Sequence, residues 1–108
     1  MKIDVKQISS IDGKLRDLLT WLERYTGLEF TITSLHRIDD PGVHGTRPTR
    51  GADLRMRNEA VGMVIETIIN ANWIYDCDRV GIRCAKLHGL GANLHLHLQV
   101  HPKTWHKV

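Results

Sequence analysis

No run of apolar residues in this 108-residue chain approaches the roughly 20 needed to cross a bilayer, so membrane insertion is not expected. The N-terminal stretch MKIDVKQISS has no apolar core of signal-peptide length. Without a secretory signal, the protein is expected to stay in the cytoplasm until released. Cysteine is scarce: Cys77 and Cys84 are the two present, too few for a disulfide framework and too far apart for the tight pairs of a structural zinc site. They read as ordinary reduced thiols near a strand. Blocks of basic residues are missing too. The net charge of +3 and the pI near 9.1 are compatible with nucleic acid or an anionic cell-wall polymer, but lysines and arginines are scattered and basicity decides nothing; no nucleic-acid partner is expected. Internal repeats, linkers and low-complexity segments are absent.

What is present has the balance of an ordinary globular protein, with 42% hydrophobic and 25% charged residues. The length fits a single domain spanning residues 1–108. Ser9 or Ser10 can cap a helix through IDGKLRDLLTWLERYT, where Ile11, Leu15, Leu18, Leu22 and Tyr25 form one apolar stripe, and Gly27 is placed to end it. LEFTITS (28–34) alternates as a half-buried strand. Residues 35–50 form an irregular stretch with Pro41, Gly42, Gly45 and Pro48, long enough in a small domain to suggest function. GADLRMR (51–57) reads as a short strand. Asn58 caps a second helix over residues 59–72, whose Val61, Val64, Ile65, Ile68 and Ile69 predict the most buried helix of the chain. WIYD (73–76) and GIRCAKL (81–87) are expected strands, and the loop HGLGAN leads into LHLHLQV (94–100), the clearest strand of all.

That last strand carries the chemistry. Five of the seven histidines fall at or after position 88. In LHLHLQV, Leu94, Leu96, Leu98 and Val100 share one face, while His95, His97, Gln99 and His101 share the other. Two imidazoles about 7 Å apart, the two-residue repeat of a strand, can approach one metal or one substrate. A second cluster lies upstream, in HGTRPTRGADL: His44 precedes Asp53, which opens a strand where an unpaired aspartate is unfavourable. Two imidazoles, one carboxylate and an open water position are the donor set of a catalytic zinc site. His36 and His106 read as solvent-facing, and His101 as the end of the strand.

ITSLHR (32–37), VHGTRPTRGADL (43–54) and LHLHLQV (94–100) together resemble the superfamily of D-alanyl-D-alanine carboxypeptidases, lysostaphin-type endopeptidases and the hedgehog signalling domain. The likeness is strongest to the carboxypeptidase branch, which includes small phage-encoded peptidases. It covers residues 30–101 in matching order. The resemblance implies an α+β fold, with a small antiparallel sheet, two helices on one face and a metal site on the other. It implies Zn2+ bound by His44, Asp53 and His97, with Arg37 contacting substrate and developing negative charge. His95 corresponds to a histidine beside the metal without being a ligand, and His88 is a further candidate. The implied substrate is a peptide, in particular a peptidoglycan stem or cross-link peptide.

The sequence departs from that pattern in three places. The His44-to-Asp53 interval is nine positions where the carboxypeptidases have seven, and Gly51-Ala52-Asp53 is one residue tighter than Gly-x-Ala-x-Asp. The glutamate that this branch carries three residues before its last ligand is replaced by Leu94. His95 or His88 then takes the role of general base, or the chain is a binding module that has lost catalysis. A rival reading takes His-hydrophobe-His as the metal pair of a single-strand DNA nuclease, which needs a tyrosine nucleophile near the metal.

Overall fold

A computed structural model describes residues 11–36 and 49–107. Helix α1 (Gly13–Thr26) starts later than the serine caps imply, and the cap is Asp12. Its carboxylate accepts from the backbone N–H of Lys14 at 2.8 Å and of Leu15 at 3.4 Å, where a negative charge also suits the helix N-terminus. Ser9 and Ser10 lie outside the described residues. Leu15, Leu18, Leu19 and Leu22 form the buried stripe. Tyr25 is not part of it: it is 59% exposed and stacks on Trp21 at 5.0 Å. Gly27 ends the helix in the left-handed region at φ 69°, and its N–H donates to the Glu23 carbonyl.

Helix α2 (Glu59–Asn72) is capped by the Asn58 side chain, which accepts from Val61 N–H at 2.9 Å. It buries one narrow face, Gly62, Ile65 and Ile69. Val61 and Val64 are 40% and 58% exposed, so α2 is not the most buried helix; α1, with four buried leucines, is the more buried of the two described. Hydrophobic content was a poor guide here because only one side of α2 meets the sheet. At Gly62 the helix comes so close to Leu87 that an added Cβ would lie 2.6 Å from the leucine side chain.

The main sheet has four antiparallel strands: β1 (Ile32–His36), β2 (Gly51–Arg55), β4 (Ala85–His88) and β5 (His95–Gln99). Their order is β1-β2-β5-β4, so the strand of Asp53 and the strand of the histidine pair are central neighbours. Ala52, Leu54, Leu96 and Leu98 are fully buried on the inner face, against which the helices pack. The fold is α+β, as the sequence implies.

Strand limits differ from those read in the sequence. β1 runs to His36 instead of ending at Ser34, because Leu35 and His36 continue pairing with Ala52 and Gly51 beyond an irregularity between Ile32 and Ser34. Of GIRCAKL, only Ala85 onward joins the sheet. Of WIYD, only Trp73–Ile74 forms a strand, β3, which pairs with β6 (Trp105–His106), a strand the sequence did not suggest. His106 is therefore not solvent-facing: its ring stacks on Trp73 at 4.8 Å and meets Trp21 edge-on at 5.1 Å. Arg50, just before β2, is 1% exposed and its guanidinium donates to the Val100 carbonyl at 2.9 Å, tying the start of β2 to the end of β5.

Candidate metal centre

Alternation along β2 and β5 sends Asp53 and His97 to the outer face, opposite the buried leucines. The two residues are direct partners in the ladder. At the end of β1, His36 sits across from Gly51, which is one alternation step along β2 from Asp53. His97 Nδ1 lies 2.9 Å from Asp53 Oδ1, and His36 Nε2 lies 2.8 Å from Asp53 Oδ2. An ionised carboxylate can only accept, so both imidazoles donate to it. Partial burial alone would raise the Asp53 pKa. The hydrogen bonds from His97 and His36, with the positive charge those rings can carry, outweigh it and hold the carboxyl below its ordinary 3.8.

His36, Asp53 and His97 present ligand-type atoms within 4.8 Å of one another. Imidazole nitrogen and carboxylate oxygen are the donors that zinc and neighbouring transition metals accept. The side chains are partly exposed, at 36% for His36, 15% for Asp53 and 24% for His97, so an ion could enter and keep an open position.

A second acidic group, Asp76, Cys77 and Asp78, serves the turn after β3. Asp76 accepts from Asp78 N–H at 2.9 Å and from Arg79 Nε at 3.0 Å, and Asp78 pairs with Lys103 at 2.9 Å. Cys77 is exposed; Cys84 is buried, and desolvation pushes its thiol up to about 12, so it stays a neutral core residue.

The remaining histidines of the site line the same outer face. His95 partners His88 across β5 and β4, and the two rings stack at 5.6 Å between centroids and 19° between planes. His88 also meets His97 edge-on at 6.2 Å. His95 Nδ1 donates to the Asn93 carbonyl at 2.8 Å, which leaves its Nε2 facing away from the backbone with a lone pair in the neutral ring.

Of the residues the sequence singled out, Asp53, His97, His95 and His88 come together on this face. Arg37 and His44 lie outside the described residues. His36, read from the sequence as solvent-facing, is instead a partner of Asp53. The signal was available in the alternation, which places Leu35 inward and His36 outward once β1 is carried two residues further. His101 does more than end the strand: it is 8% exposed, packs on the Tyr75 ring at 5.6 Å and approaches Asp76 at 3.9 Å. Leu94, at the position of the carboxypeptidases' glutamate, is 8% exposed in the core, so no carboxylate can be supplied from there.

No known protein family, curated protein or solved structure matches the chain.

Proposed function

We propose that the chain is a zinc-dependent peptidase of the D-alanyl-D-alanine carboxypeptidase and hedgehog-like type, acting on peptidoglycan stem or cross-link peptides. The observation that carries this reading is Asp53 set directly across from His97 on the two central strands, at 2.9 Å, on the polar face. These are two of the three ligands that the resemblance implies. His44 is the third. It stands nine residues before Asp53 in the sequence. His36 then acts as the partner that orients Asp53, the role outer-shell groups fill at zinc sites.

The donor set suits zinc, which when bound would polarise a substrate carbonyl and lower the pKa of a coordinated water to about 7. The chain's own groups do the rest. His95, with Nδ1–H fixed on the Asn93 carbonyl, offers Nε2 to take a proton and pass it to the leaving amine. In the metal-free chain Asp53 accepts from both His97 and His36, which gathers the three side chains at the position where Asp53 and His97 would hold an ion. Arg37, next along the chain from His36, is assigned to an anionic group of the substrate or to the developing oxyanion.

His95→Ala is the test of the catalytic assignment. Assayed on cross-linked or stem-peptide substrates, it is expected to lose about 10²–10⁴-fold in kcat while retaining zinc. Full activity with zinc retained would remove His95 from the mechanism. Loss of zinc would make His95 a ligand and His97 the helper.

One observation favours a second reading, a module that binds metal and peptide without turnover: the buried Leu94 leaves the site without the usual carboxylate base. Zinc binding without hydrolysis of any peptidoglycan fragment would support that alternative. The nuclease reading has less behind it. Tyr25 stacks on Trp21 and Tyr75 is buried against His101, so neither stands at the Asp53–His97 face as a nucleophile.

A further inference from the structure

Beside the Asp53–His97 pair, the outer face carries a second pair of imidazoles that the proposed mechanism uses on one side only. His88 ends β4 and His95 begins β5, and they are direct cross-strand partners. Opposed residues of antiparallel strands have Cβ atoms about 4.5–5.5 Å apart, a separation from which two imidazoles can bind one ion. The rings stack at 5.6 Å and 19°.

Three further features prepare the pair. The Nδ1–H of His95 is held by the Asn93 carbonyl, so its lone pair is fixed on Nε2, as a backbone carbonyl commonly fixes a metal-binding histidine. The connecting turn is tight: Gly89 has φ 84°, and a Cβ there would collide with the Asn93 carbonyl oxygen. His88 is exposed at the end of β4, so an ion can reach its ring from solvent.

We infer that His88 and His95 form a second site for a zinc-like divalent transition-metal ion, adjacent to the Asp53–His97 site and weaker than it. Two nitrogen donors suit zinc, nickel or copper, with water completing the coordination. The site shares no ligand with its neighbour, although the His88 and His97 rings are 6.2 Å apart. An ion bound there occupies the Nε2 of His95, so filling the second site withdraws the proposed proton carrier. That consequence rests on the peptidase reading; the ion site does not.

The test is a zinc titration of the metal-free protein by calorimetry, with bound metal counted after equilibrium dialysis. The parent, His88→Ala, His95→Ala and Asp53→Ala are compared. The parent is expected to take up two ions, the second more weakly. His88→Ala and His95→Ala are each expected to weaken the second by more than about tenfold and to keep the first. Asp53→Ala is expected to lose the first and keep the second. An ion lost in the two histidine variants, with Asp53→Ala binding like the parent, would uphold this site and overturn the Asp53 centre. A parent that binds no ion, or whose bound ions all persist in both histidine variants, would overturn the inference. Histidine side-chain NMR signals keep the result independent of stability, since the second equivalent should shift His88 and His95 together.

Discussion

Leu96→Ala is expected to lower the stability of the metal-free protein by about 2–5 kcal/mol, while His97→Ala next to it costs under about 1.5 kcal/mol. Both residues lie in the middle of β5, and the difference comes from the face each one occupies. Leu96 is fully buried, a partner of Leu54 on β2 and Leu87 on β4, so its truncation leaves a cavity between the sheet and the helices. His97 is partly exposed and makes its side-chain hydrogen bond to a carboxylate that His36 also serves. Urea midpoints of the two variants check this. Equal losses would mean that β5 does not separate core from site as described.

The second large effect concerns Asp53. Asp53→Ala is expected to reduce kcat/KM on a stem-peptide substrate by more than about a hundredfold, with far-UV circular dichroism unchanged. The carboxylate is the only acid bracketed by two imidazoles among the described residues, at 2.9 Å from His97 and 2.8 Å from His36. Removing it takes away the proposed ligand and the carboxylate that accepts from both rings. Activity within tenfold of the parent would show that hydrolysis, if present, does not run through this carboxylate.

The parts of this arrangement that were legible in the sequence are those set by local pattern. Two-residue alternation in LHLHLQV gave the aliphatic and imidazole faces of β5, and Asn58 and Gly27 marked helix ends through ordinary capping chemistry. Asp53 stood out because an aspartate on a strand needs a partner, and the partner is the strand histidine His97. What sequence could not supply was the pairing between distant segments. β6 is two residues long and exists through its pairing with β3, and His106 is ordered there by Trp21 and Trp73. His36 was missed for the same reason: its role depends on β1 continuing along β2 as far as Gly51. The exposure of Val61 and Val64 follows from where α2 meets the sheet, which its composition does not encode.

The central claim, a zinc centre on Asp53 and His97, is tested most directly by the zinc content of the reconstituted and dialysed protein. The parent should hold about one tightly bound zinc per chain, lost in Asp53→Ala, His97→Ala and His44→Ala and weakened about 10–100-fold in His36→Ala. A parent that retains no zinc after reconstitution, or that keeps it in Asp53→Ala, would contradict the claim.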